Sequence, residues 1–235
     1  MTRPESARRA EIAAGLAETR ERIENACRAA GRSDIPTLIV VTKTHPASDI
    51  DHLRALGVGD IGENRDQEAA AKVAQIAARH EVTVHFIGQL QTNKAASVAG
   101  YADVVHSVDR PRLVRALAAA LQRLHRRLDV LIQVDLSGSP GRGGVDPRQA
   151  DDLAELVVAS DFLRLRGVMA VAPLGVDPDA AFARLAGVAD GIRRVAPEAT
   201  WISAGMSGDL EAAVRHGATH LRVGTAILGS RAHRG

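Results

Sequence analysis

The order of apolar and polar positions changes character once along the chain. Up to residue 30, Ile12, Leu16, Ile23 and Cys27 recur at helical spacing among charged residues. That spacing predicts one amphipathic helix over 4–30, with Pro4 suited to its first turn and Gly31 to its stop. After Gly31, short β-rich runs alternate with alanine-rich stretches of helical pattern. The runs are 37–42, 58–62, 82–87, 103–107, 129–135, 163–171, 200–203 and 219–223. Helices are predicted at 47–56, 64–79, 92–99, 110–127, 147–159, 177–194 and 208–216, and a last short one begins near Thr225. The longest irregular stretch, Leu136 to Val145, is rich in Gly, Ser and Pro and is flexible by composition.

A strand followed by a helix, repeated, means parallel strands joined by right-handed crossovers. Eight such strands suggest a closed barrel, although a doubly wound open sheet has the same alternation and periodicity alone does not separate the two. No linker or repeat interrupts 1–235, so one domain is expected.

Composition narrows the function classes. Apolar residues make up 46% and charged residues 25%, an ordinary globular balance. Aromatic residues are only 2%, so base-stacking platforms are scarce, and a net charge of +2 argues against a polyanion binder despite a pI near 9.1. The basic stretch Arg123, His125, Arg126 and Arg127 reads as a helix end. A single cysteine, Cys27, excludes an internal disulfide and fits a reducing compartment. No run is long and apolar enough to span a bilayer, and the N-terminus is charged rather than signal-like, so a cytoplasmic location is expected, with no membrane and no nucleic-acid partner.

In a barrel, ligand residues gather at the C-terminal ends of strands, and here those ends are polar. Lys43 closes the apolar run Leu38 to Val41, where its amine is expected to be partly desolvated and nucleophilic; a snorkelling surface lysine is the plainer alternative. Gly205-Met206-Ser207-Gly208-Asp209 and Gly224-Thr225 each join a strand to a helix, where backbone N–H groups can meet a phosphate, although such glycines are more often simple turn chemistry. Arg222 stands inside the last strand. Pointing inward, its guanidinium would meet a ligand, and facing a pyridine nitrogen it would keep that nitrogen unprotonated and weaken the ring as an electron sink.

These positions carry a resemblance. The signatures are VVTKTHP around Lys43, IGENRDQE at 61–68, HFIGQLQTNK at 85–94, HSVD at 106–109, IQVDLSG at 132–138, RGVMAVAP at 166–173 and SAGMSGDLEAAVRHGATHLRVGTAILGSR at 203–231. Together they resemble the pyridoxal-phosphate homeostasis protein family, whose fold is similar to the N-terminal barrel of alanine racemase. The resemblance implies a TIM-type (β/α)8 barrel with an extra N-terminal helix and pyridoxal 5′-phosphate (PLP) as cofactor. It implies Lys43 as the Schiff-base lysine, Asn64 close to the ring, Met206 and Ser207 in the phosphate cup, Arg222 as partner of the ring nitrogen, and Gly224 and Thr225 in a second phosphate nest. No metal is implied. Departures from the family's usual pattern are Ala204 for methionine, Val84 for an aromatic residue, Leu228 for phenylalanine, Asp135 for asparagine and Arg142 for lysine.

Two function classes compete on these residues. One is a non-enzymatic carrier that keeps a reactive aldehyde low and delivers it, acting as a monomer, with PLP-dependent apoenzymes as partners. The other is an amino-acid racemase, which needs an acid or base on each face of the cofactor. Lys43 supplies one. Tyr101, the only tyrosine, is expected on the N-terminal side of the barrel, and His85 reads as a strand histidine in a satisfied hydrogen-bond network. The carrier is therefore the expected function.

Overall fold

The computed structural model describes residues 3–138 and 143–229. Its parallel strands close into a barrel in chain order: β1 (Thr37–Val41), β2 (Asp60–Glu63), β3 (Thr83–Phe86), β4 (Val104–Val108), β5 (Leu128–Gln133), β6 (Leu163–Met169), β7 (Trp201–Ser203) and β8 (His220–Val223). The last strand pairs with the first, Ile39 beside Arg222 and Val40 beside Val223. Closure removes both sheet edges and decides between the barrel and the open sheet.

The helices are α1 (Arg3–Ala29), α2 (Ala47–Ala55), α3 (Asp66–Val73), α4 (Ala95–Tyr101), α5 (Pro111–Leu124), α6 (Ala150–Val158), α7 (Pro178–Val195), α8 (Leu210–Arg215) and α9 (Thr225–Leu228). Helices α2 to α8 lie between successive strands, α9 follows β8, and α1 precedes the barrel and packs on α8 and α9. At its end, Gly31 takes φ +67° and Arg32 N–H reaches back to Cys27 O at 2.9 Å, the glycine stop expected from sequence. Cys27 is buried with Ile12, Leu16 and Ile23 in the main core.

The largest shortfall against the pattern is in α3. The helix expected over 64–79 ends at Val73, because Ile76 turns into the apolar cluster with Ile61, Val82 and Val84. Arg79 then anchors the chain near the N-terminal end of the barrel through Tyr101 O at 2.7 Å and Asp103 Oδ2 at 2.6 Å. Alanine repeats satisfy a helix or a turn alike, so the pattern overran. In β6 the pairing slips by one residue between Leu165 and Gly167, and Gly167 sits at φ +150°. A Cβ there would lie 1.9 Å from Trp201 O, so only glycine lets β6 and β7 meet.

Side chains alternate across each strand. Outward-facing Val40, Phe86, Val105, Ile202, Leu221 and Val223 build the layer beneath the helices. The interior holds an apolar cluster of Val104, Leu131 and Met169 with Trp201 against it. It also holds buried polar groups: His85, His106, Ser203, His220 and Arg222.

Candidate functional site

Lys43 follows β1 with the parity of Ile39 and Val41, which pack against Gly62 inside the barrel. Thr42 has the opposite parity and turns into the layer beneath α3, where its hydroxyl donates to Glu63 Oε1 at 2.5 Å. Lys72 enters the same place from α3, with Nζ 2.7 Å from Thr42 O, 2.7 Å from Glu63 Oε1 and 3.0 Å from Glu68 Oε1. Burial pushes the Glu63 carboxyl up, against the pull of Lys72 and Thr42. Thr44 then takes φ +67°, a left-handed conformation costly for a β-branched residue, and its N–H donates to Glu68. This elbow ends the strand and leaves the Lys43 side chain exposed. The expected desolvation of its amine is therefore corrected, since β1 buries the apolar residues before Lys43 and the elbow lifts Lys43 clear of them.

Neighbouring strands complete the mouth. Val41 pairs with Gly62, and two residues further on lie Lys43 and Asn64. Gly88 packs so closely on Asn64 that an added Cβ would lie 2.0 Å from its backbone oxygen. Beside Asn64 opens a cleft of about 540 Å³ lined in part by Gln67, Phe86, Gln89, Leu90 and Lys94. On the other flank, Arg222 points inward and is 4% exposed. Its Nη1 donates to Ser203 Oγ at 2.6 Å and its Nη2 to Ala170 O at 2.8 Å. Burial pulls its guanidinium down to about 10, Asp209 opposing, so it stays charged at neutral pH.

The turns after β7 and β8 lie side by side. Gly205 takes φ +90°, and a Cβ there would meet Ala213 and Leu221 at 2.7 and 2.8 Å. Among the described residues, the N–H groups of Ser207 and Gly208 have no acceptor, and those of Thr225 and Ala226 open a helical turn without partners. The N–H of Met206 does have one, Asp209 Oδ1 at 2.6 Å, so in this structure it is not a free phosphate donor. Its side chain is 38% exposed. Below Gly224 there is no room: a Cβ would lie 3.0 Å from Val41 O.

Over residues 16–232 the chain matches the family described as alanine racemase, N-terminal domain. It is 45% identical to the pyridoxal phosphate homeostasis protein of Mycobacterium tuberculosis, across 95% of this chain and 94% of that protein. The chain belongs to the pyridoxal phosphate homeostasis protein family. PipY of Synechococcus elongatus, solved with PLP bound, superimposes with a TM-score of 0.81 at 34% identity, over 93% of this chain and all of that one. Alanine racemase of Corynebacterium glutamicum shares the fold, with a TM-score of 0.68 at 16% identity over 93% of this chain and 60% of the racemase.

Three departures from the family pattern face away from the site. Ala204 and Leu228 are buried in the main core and Val84 in the cluster beneath α3, because strand parity turns position 204 away from the barrel interior. Asp135 Oδ1 accepts from Ser137 N–H and hydroxyl at 2.8 and 2.6 Å, closing its own turn. Arg142 lies outside the described residues.

Neither candidate second base reaches the mouth. Tyr101 belongs to the N-terminal end of β4 as expected, but its hydroxyl lies buried outside the barrel, within reach of the Asp66 carboxylate. Burial, Asp66 and Glu63 push it far above the ordinary phenol range. Both ring nitrogens of His85 are taken, Nε2 by Asp60 Oδ1 and Nδ1 by His106 Nε2, each at 2.9 Å.

Sequence reasoning missed Lys72, which reads as an ordinary helix lysine, and Arg22, which reads as an exposed residue of α1. Arg22 Nη1 donates to Ser207 O at 2.6 Å while its other nitrogens grip Glu211 at 2.5 and 2.7 Å. Gly15 lets α1 approach, for a Cβ there would lie 2.7 Å from Ala226 O. For Arg22 the signal was the length of α1 and its one internal glycine.

Proposed function

We propose that this chain binds pyridoxal 5′-phosphate as a Schiff base on Lys43 and serves intracellular vitamin B6 homeostasis as a carrier, without catalytic turnover. The observation that carries this reading is one arrangement. An exposed lysine stands between Asn64 and Gly224 on adjoining strands, beside a buried guanidinium and two turns with unpaired N–H groups. Lys43 supplies the amine, and Asn64 lies beside the ring. Arg222 would face the ring nitrogen, and Ser207, Gly224 and Thr225 would hold the phosphate through the two turns, the first of them closed by the Met206 N–H on Asp209. When bound, the aldehyde supplies an electrophile for the amine. Arg222, which can only donate, would not supply the acidic partner that turns a pyridine ring into an electron sink.

The carrier reading over a racemase rests on Tyr101 and His85, neither of which offers a free acid or base at the mouth. The names of the relatives and the PLP-bound PipY structure support the cofactor. Residues 1–235 act as one cofactor-binding unit, as a monomer in the cytoplasm, and pass PLP to apoenzymes. No described helix is long and apolar enough to cross a membrane.

The test is a spectrum. PLP-loaded protein is expected to show a visible band that borohydride abolishes, leaving the cofactor on the peptide that contains Lys43. Lys43→Ala is expected to lose the band with stability changed by less than about 0.5 kcal/mol, since the side chain is exposed. An undiminished band in that variant, or reduction onto another lysine, overturns the assignment.

A further inference from the structure

The barrel interior contains a line of hydrogen bonds that the cofactor reading leaves unused. From Arg222 Nη1 it passes to Ser203 Oγ at 2.6 Å and on to His106 Nδ1 at 3.0 Å. His106 Nε2 then meets His85 Nδ1 at 2.9 Å, and His85 Nε2 meets Asp60 Oδ1 at 2.9 Å. Ser203 and His106 are fully buried, His85 is 1% exposed and Asp60 is 32% exposed at the N-terminal mouth. The line therefore runs the length of the barrel, from solvent at one end to the guanidinium near the other.

Counting protons gives it a direction. A guanidinium only donates and a carboxylate only accepts. With one proton on each ring, the three links between Ser203, His106, His85 and Asp60 take one proton each from the hydroxyl and the two rings. Asp60 must receive the proton of His85 Nε2, which leaves His85 Nδ1 bare. His106 must then donate from Nε2, and the Ser203 hydroxyl must donate to His106 Nδ1. Burial, with His85 and Arg222 adding to it, pushes His106 well below the ordinary histidine range and keeps that ring neutral. The oxygen of Ser203 thus faces Arg222 as a pure acceptor. Among the described residues Arg222 has no carboxylate within ion-pair distance, although Asp209 acts on it at longer range. The relay polarises Ser203 toward it instead.

We propose that Asp60, His85, His106 and Ser203 are positioning residues for Arg222. Through a hydrogen-bond relay of fixed direction, an acid at the N-terminal mouth holds the guanidinium in the orientation in which it meets the ring nitrogen at the C-terminal mouth. This inference rests on the cofactor reading above for its ligand but not for its relay. Ordinary core histidines would only stabilise the fold; a relay adds sensitivity to what stands opposite Arg222.

Two ligands separate the cases: PLP, and its carbocyclic analogue with C–H in place of the ring nitrogen. Ser203→Ala is expected to weaken PLP roughly tenfold and Asp60→Asn, which keeps an acceptor for His85 but removes the charge, roughly threefold. The analogue should change less than about twofold in both, having no ring nitrogen to lose. Parallel loss for both ligands, or no loss for PLP, overturns the proposal. Nitrogen NMR of the ligand-free protein tests the relay by itself, so that failure of wild-type protein to bind PLP counts against the cofactor reading alone. His85 and His106 are both expected as Nε2–H tautomers, with the His106 nitrogens shifting in Asp60→Asn. An Nδ1–H tautomer in either ring, or a His106 signal unmoved by Asp60→Asn, overturns it.

Discussion

The amine of Lys72 lies 2.7 Å from the carbonyl oxygen of Thr42, the residue immediately before Lys43. A buried cation on α3 thus clamps the end of β1, and the same amine compensates Glu63, whose side chain is fully buried. Lys72→Met leaves that carboxylate without its partner. The expected cost is about 3–5 kcal/mol, the range for breaking a buried pair from one side. Urea unfolding measures it, and the double variant Lys72→Met/Glu63→Gln should recover most of the loss. A single variant within about 1 kcal/mol of wild type contradicts the clamp.

The clamp carries a pH signature. Although burial opposes it, the Thr44 N–H and Lys72 together hold Glu68 below its ordinary 4.5. A carboxylate depressed in the folded state stabilises fully above its unfolded value, and the contribution is lost as pH falls through the folded one. Glu63 is raised by burial and works in the opposite sense: its contribution is present at low pH and lost as pH rises through its folded value. In Glu68→Gln the acid side of the stability–pH curve should become shallower. A curve of unchanged slope below pH 4.5 rules out Glu68 as the group responsible.

Arg22 holds the turn proposed to take the phosphate, through Ser207 O and Glu211. Arg22→Ala should weaken PLP binding by about 1 kcal/mol while leaving the visible band in place, and Ser207→Ala and Thr225→Ala should each cost a similar amount. Gly224→Val should cost more, because its side chain runs into Val41 O beneath it as well as toward the phosphate. Equilibrium titration ranks these variants. Wild-type affinity in Gly224→Val contradicts the placement of the second turn.

Turnover should be absent whichever amino acid is offered. In the proposed arrangement Arg222 stands opposite the ring nitrogen and, among the described residues, neither Tyr101 nor His85 offers a free second base at the mouth, so transition-state stabilisation would be missing while cofactor binding is retained. Exchange of the α-hydrogen of alanine or serine in D2O, followed with loaded protein, checks this. Exchange near the typical enzymatic range of roughly 1–1000 per second overturns the carrier reading.

Much of this was legible along the chain. Short β-rich runs between stretches of helical period placed each strand to within a few residues, because residue type and pattern record how an element meets the core. Lys43, Arg222 and the glycine turns stood out because strand-end position and residue type already constrain chemistry. What periodicity does not record is which distant group a face meets. Closure of β8 on β1 decided barrel against open sheet. Parity within that closed barrel turned Ser203 inward and Ala204 outward, and the elbow at Thr44 exposed the Lys43 amine. The polar line through the barrel joins His106 to Ser203 across 97 positions, and Arg22 reaches Ser207 across 185. Such pairs leave no local trace, since each residue alone is compatible with a solvated or a buried setting; only folding brings in the partner that selects one.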